Sequence, residues 1–230
     1  MNDVIAAIRS RGYWSVVVRP ATFHQKLIPS LTEVEEVLRD CHIQLRGWDY
    51  PHYREGEAKR LADHIEGWVS WEEHHEVWRL YQSGQFVHLF AMREDWYGDS
   101  TLGQPDVPPG TVLSVLSSLY SITEIHTFAA RLATRLRLVG NVHLSIKLTR
   151  LGGRQLQILE PGRVPLSPHR KSAAELSEYG DSWDHPVGTL IGRANELAID
   201  FALELFDRFS WEAPRARLVE DQRRLLEQRW

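Results

Sequence analysis

Between Glu76 and Met92 the chain spells out a β-hairpin. Two runs rich in aromatic and branched residues, Val77-Trp78-Arg79-Leu80-Tyr81 and Phe86-Val87-His88-Leu89-Phe90, flank Ser83-Gly84, itself set between two glutamines. Such residues suit a pleated, half-buried surface, and glycine in the turn supplies the positive φ that a tight connection demands. Read as a two-residue turn, Ser83-Gly84 pairs Trp78 with Leu89 and Leu80 with Val87 on one face. The other face then pairs Val77 with Phe90, Arg79 with His88 and Tyr81 with Phe86. The first face is core; the second is an aromatic floor with one polar pair set into it. The rest of the chain must cover this ribbon.

The flanking segments supply the cover. Asn2 to Arg11 carries Val4, Ile5 and Ile8 on one stripe and stops at Gly12, which predicts a short helix. Tyr13 to Arg19, with Val16-Val17-Val18 inside and Pro20 closing it, predicts a strand. Ser30-Leu31-Thr32-Glu33 has capping-box spacing ahead of Val34, Val37, Leu38 and Cys41, so a helix follows to about Arg39. His42 to Tyr50 returns to strand character. Tyr97 to Gly110, rich in proline and glycine, is a loop and the natural boundary between two halves, 1–96 and 111–230, that share one core.

From Val112 the positions Val115, Leu119, Ile122, Phe128, Leu132 and Leu136 recur at helical spacing as far as Gly140. Val142, Leu144, Ile146 and Leu148 alternate with polar residues, and Gly152-Gly153 leads into Gln155 to Leu159. A three-residue loop there would form a second hairpin with one apolar face. Pro161 to Pro186 is mostly loop, with room for a short strand near Trp183. Ile191 or Arg193 to Phe209 is amphipathic, and Arg215 to the C-terminus is a last helix. Hairpins without βαβ units give an α+β class, a single domain of 1–230 in which an antiparallel sheet built from hairpins carries amphipathic helices mainly on one face.

Composition narrows the function. Nine tryptophans, seven tyrosines and seven phenylalanines can build a large core. A net charge of −4 gives no general nucleic-acid-coating surface. Cys41 is the only cysteine, so neither an internal disulfide nor a cysteine-rich zinc site can form. The N-terminus lacks a signal-peptide pattern, and no apolar run reaches membrane-spanning length. The expectation is a cytoplasmic chain with no membrane association.

Four groups could carry chemistry. In Arg46-Gly47-Trp48-Asp49-Tyr50-Pro51-His52, Arg46 can grip an anion and the aromatics can stack on a ring; otherwise Arg46 pairs with Asp49 across a strand end. Asp63-His64 and Glu72-Glu73-His74-His75-Glu76 offer metal-ligand types, though successive histidines on a strand point apart. Arg79 and His88, between Tyr81, Phe86 and Phe90, form either an anion or base-stacking site or a guanidinium covering apolar rings. Arg215, Arg217, Arg223, Arg224 and Arg229 line the last helix, beside Leu218, Val219, Leu225 and Leu226, and Trp230 follows. Phosphate-binding, dinucleotide and nucleophile-elbow motifs are missing from the sequence.

The stretches from Arg46 to His52 and from Trp78 to His88 resemble an uncharacterised family of bacterial proteins. Similar stretches occur in chains that also carry a Schlafen-like DNA-binding region, and no separate region of that kind stands in this sequence. The resemblance runs over most of the chain and implies neither an established activity nor a catalytic residue. The leading expectation is therefore a non-enzymatic binding or interaction domain, a sensor or accessory subunit with a protein partner and no cofactor. Its contact residues would be Arg46, Trp48, Asp49, His52, Arg79, Tyr81, Phe86 and His88. The alternatives are a metal-dependent hydrolase or nuclease built from the 63–88 cluster around Glu73, His75 and His88, and a nucleic-acid contact through the C-terminal arginines.

Overall fold

The computed structural model describes residues 1–103, 105–160 and 162–228; Gln104 and Pro161 of the expected loops and Arg229 and Trp230 of the expected last helix lie outside them. The chain runs α1 (Asn2–Ser10), β1 (Tyr13–Pro20), α2 (Leu31–Cys41), β2 (Lys59–Arg60), β3 (His64–Trp71), β4 (His74–Tyr81), β5 (Phe86–Ala91) and a 3₁₀ helix (Arg93–Asp99). It continues through β6 (Val112–Ser114), α3 (Val115–Arg135), β7 (Asn141–Thr149), β8 (Gln155–Gln157), β9 (Glu178–Pro186), α4 (Val187–Asp207) and α5 (Arg215–Leu226). Seven strands form one antiparallel sheet in the order β2-β3-β4-β5-β1-β7-β9, so the fold is α+β.

Strand β1 is the hinge of this order. It bonds to β5 on one side and β7 on the other, joining segments from both halves of the sequence. Its Trp14, Val16 and Val18 point inward between Phe86, His88 and Phe90 of β5 and Leu144, Ile146 and Leu148 of β7. Helices α2, α3 and α4 cover this face, and α5 packs on α3 and α4. Helix α1 covers the other face, where Met1 meets the Arg79 guanidinium. Ser30 caps α2 as its spacing predicts, its hydroxyl accepting from the Glu33 amide. Gly67 is required by packing: a Cβ there would stand 2.3 Å from the indole of Trp78 on the neighbouring strand.

The Glu76–Met92 hairpin forms, but one residue out of the expected register. Its loop has three residues, Gln82-Ser83-Gly84: the Tyr81 amide donates to Gln85 and the Gly84 amide to Tyr81, with Gly84 at φ 81°. Trp78 thus faces His88, Leu80 faces Phe86 and Arg79 faces Val87. A one-residue slip moves every side chain to the opposite face. Arg79 and His88 therefore lie on opposite faces of the sheet, and the expected polar pair does not exist.

Four further expectations are corrected. The segment after α2 is a loop closed by a single bridge between Ile43 and Tyr50, not a strand. Val112–Ser114 is a strand, and α3 starts only after it and ends at Arg135 rather than Gly140. Strand β8 makes no hairpin with β7; it pairs in parallel with β6, because β1 and β9 already occupy both edges of β7. Glu178 to Pro186, expected as loop with at most a short strand, is a nine-residue edge strand bonded to β7 along its length.

Helix α5 buries Leu218 and Leu225, and three of its arginines are engaged by acids: Arg215 with Asp200, Arg223 with Glu220 and Glu227, Arg224 with Glu220. Among the described residues no helix is long and apolar enough to cross a membrane.

Candidate functional site

The loop between α2 and β2 lays Arg46, Trp48, Asp49 and Tyr50 over the inner face of β4 and β5, opposite the first half of α3. Two spaces open between these elements. An inner cavity of ≈ 50 Å³ has Tyr50, His88, Phe90 and Ser118 among its lining residues. An outer cleft of ≈ 450 Å³ is flanked by Trp71, Tyr97, Leu102 and Tyr120. Arg46, Trp48, Glu73, His74, Arg93 and Ser117 line both, and form the neck where they meet.

Glu76 is the hub. Its carboxylate accepts from the Trp48 indole at 2.8 Å, the His52 amide at 3.1 Å and His88 Nε2 at 2.7 Å. Burial works to raise its pKa, but the bonds from His88, Trp48 and the His52 amide outweigh it and hold the carboxyl below the ordinary range. Trp48 is gripped on both faces, by His52 at 4.1 Å and His74 at 3.8 Å, with Trp71 lying parallel at 5.9 Å. Burial, helped by the Arg93 charge, takes His74 down to about 3, so it is a neutral ring in this stack.

Each arginine of the neck is matched by a buried acid. Arg46 grips Glu124 through two bonds, 2.9 and 2.6 Å, and bonds Ser121 at 3.1 Å. Arg93 donates to Glu73 at 2.8 Å, and the Ser100 hydroxyl donates to the other oxygen. Arg46 thus pairs with a residue 78 positions away rather than with Asp49, which accepts from His52 Nδ1 at 2.8 Å instead. The bond to Asp49 raises His52 above its ordinary value. Burial pushes Asp49 upward, but His52 and the Tyr53 amide draw it below.

Behind the neck the cavity is built from polar atoms that the protein leaves free. Tyr50 Oη, His88 Nδ1 and Ser118 Oγ are buried and find no hydrogen-bond partner among the described residues. Their residues are 5 %, 1 % and 1 % exposed. Burial, with the charges of Glu76 and Glu124, raises the Tyr50 phenol well above 10, which keeps it protonated. His88 Nε2 meets the Glu76 carboxylate and a proton sits between them, which leaves Nδ1 as the ring's unbonded nitrogen, an acceptor in the tautomer with that single proton. Glu94, held by the Ser114 amide at 2.7 Å, is buried at the same site and raised by that burial.

Of the residues singled out in the sequence, the structure brings Arg46, Trp48, Asp49 and His88 to the cavity wall, with His52 directly behind Trp48. Phe86 packs in the core beside His88, at 5.7 Å between rings. Arg79 and Tyr81 lie on the far face, where Arg79 pairs with Glu66. In the acid and histidine cluster, Glu72-Glu73 forms the turn between β3 and β4. His75 turns to the far face and bonds Ser70. Among the described residues no three His, Cys, Asp or Glu side chains gather in a way that could hold a metal.

The sequence reading passed over Glu94, Arg93 and the polar stripe Ser117, Ser118, Ser121, Glu124 of α3. That stripe carried a signal: serines and an acid at helical spacing inside a helix whose other faces are also buried. No family model, no curated protein and no solved structure matches the chain.

Proposed function

We propose that the chain is a non-enzymatic small-molecule-binding domain, suited to a sensor or accessory role. The observation that carries this reading is the set of unpartnered polar atoms of Tyr50, His88 and Ser118 around one cavity. Leaving such a group unpaired costs about 1–3 kcal/mol, so whatever fills the cavity must answer these atoms. A fold that served packing alone would place apolar side chains there. The dimensions support a ligand of two parts. A cavity of about 150 Å³ takes a benzene ring, so ≈ 50 Å³ suits a small polar head and no ring. A ring or apolar body fits the outer cleft instead, against Trp71.

The test is a fragment screen by thermal shift on the wild-type chain and on Ser118→Leu, which fills the inner cavity. A ligand present at a hundred times its Kd stabilises by about 2.7 kcal/mol, or roughly 5–10 °C in Tm for a chain of this size. The expected result is a set of hits on the wild type that the filled variant loses while keeping its own cooperative melt. Hits that survive in Ser118→Leu, or a filled variant that gains stability over a wild type that binds nothing, would reject the reading.

A further inference from the structure

The chemistry of the inner cavity goes further, resting on the binding reading above, and names the head group. Five carboxylates line the cavity, those of Asp49, Glu73, Glu76, Glu94 and Glu124, against the two guanidinium groups of Arg46 and Arg93. Asp49 is answered by His52, Glu124 by Arg46 and Glu73 by Arg93. Glu76 is answered by His88, and Glu94 makes no ion pair among the described residues. An uncompensated buried carboxylate is costly, and a cation beside it removes that cost.

Three of the free atoms at the cavity suit such a cation; another, Arg93 Nε, belongs to the guanidinium that Glu73 holds at the neck. An ammonium group is a compact charge with three N–H donors and no acceptor. Tyr50 Oη, Ser118 Oγ and His88 Nδ1 are three unpartnered atoms able to accept, each on a residue more than nine-tenths buried. The ring of Tyr50 meets His88 edge-on at 4.9 Å and Phe90 at 6.0 Å, which places aromatic faces around the same space. Such faces attract a cation. An anionic head would meet five carboxylates against two guanidinium groups, each of which an acid already holds. From this we infer that the cavity is a primary-ammonium site, and that the ligand is an amine carrying an aromatic or apolar body that rests in the outer cleft.

Three matched probe series test it by isothermal titration. Phenethylamine and tryptamine carry the ammonium; 2-phenylethanol keeps the body with a neutral head; 3-phenylpropionate carries a carboxylate. The amines are expected to bind at least about tenfold tighter than the alcohol, with no saturable binding of the carboxylate, since a hydrogen bond to a charged group is worth about 1.5–3 kcal/mol. Tyr50→Phe and Ser118→Ala, each checked for a native-like near-ultraviolet spectrum, should each weaken the amines by about tenfold and leave the alcohol nearly unchanged. If the alcohol or the carboxylate binds as tightly as the amines, the ammonium assignment is overturned while the cleft remains a binding site. If neither variant shifts amine affinity, the three-acceptor geometry is wrong. If no series binds at all, the binding reading falls with it.

Discussion

Arg154 is fully buried, and replacing it with methionine tests whether one ion pair holds the wall of the site in place. The guanidinium donates to both oxygens of Asp95, at 2.7 and 2.5 Å, and to the carbonyls of Val112 and Arg150. Asp95 in turn accepts from the amides of Gly12 and Gly110, both at 2.8 Å. One pair therefore ties together the entry to β1, the 3₁₀ helix, the entry to β6 and the turn after β7. Arg154→Met leaves Asp95 as a buried carboxylate with only the two glycine amides. Removing one partner of such a pair costs about 3–5 kcal/mol. That is a fifth or more of the stability of an ordinary domain, and at an m-value of about 3 kcal/mol/M it lowers the urea midpoint by roughly 1–1.7 M. Equilibrium urea unfolding followed by tryptophan fluorescence reads this directly. The double variant Asp95→Asn/Arg154→Met should recover at least about 1 kcal/mol of the summed single losses, because the lone charge is gone. A single-variant loss under about 1 kcal/mol, or strictly additive losses, would show that the pair does not clamp the fold. Arg93 and Glu94 stand on the same 3₁₀ helix, so the loss should extend to ligand binding.

Two other outcomes follow from groups near the core. Burial takes His126 down to about 4, its Nδ1 donating to the Ile122 carbonyl and its ring facing His185 and Asp200. Its folded pKa is depressed, so its contribution is whole above about 6.5 and is lost as pH falls toward 4, at about 3 kcal/mol in full. His126→Gln should flatten the urea midpoint across that window; an unchanged slope between pH 6.5 and 4 would contradict it. At the site, His52 is raised by Asp49, so that pairing stabilises below about pH 6.5 and fades as pH rises through the folded value. Asp49→Asn should therefore cost more at pH 5.5 than at pH 8.5, by about 1 kcal/mol or less for this partly exposed pair. An equal cost at both values would mean that the bond holds shape and carries no charge term.

What was legible in the sequence was local. Ser30 and Glu33 announce the start of α2, Val16-Val17-Val18 announces β1, and the Arg46–His52 stretch reaches the site. What was hidden depends on residues far apart along the chain. Arg46 meets Glu124 across 78 positions, β7 takes β1 and β9 as neighbours rather than the segment after Gly152-Gly153, and β8 pairs with β6. Periodicity says which residues share a face of their own element; it carries no information about which element comes to lie opposite.

The hairpin register lies between these cases, since a single loop residue decides it. With three loop residues, Phe86 and His88 turn inward to lie 0 % and 1 % exposed, and His88 reaches Glu76. Inserting one serine between Gln82 and Ser83 keeps a three-residue loop ending on Gly84 but closes it with Gln82 and Gln85, and the pairing that the sequence alone suggests becomes the one the turn enforces. Phe86 then leaves the core at about 1.5–3 kcal/mol, and His88 leaves Glu76 as a buried carboxylate short of a charge-assisted bond worth about as much again. With Phe90 displaced too, the total meets the stability of an ordinary domain. The insertion should abolish the cooperative urea transition and the near-ultraviolet signal of the nine tryptophans, whereas Ser83→Asn, which keeps the loop length, should retain both. An insertion variant that melts like the wild type would show that β1 and β3 impose the register whatever the turn, and that the face on which His88 stands is set by the sheet rather than by Gly84.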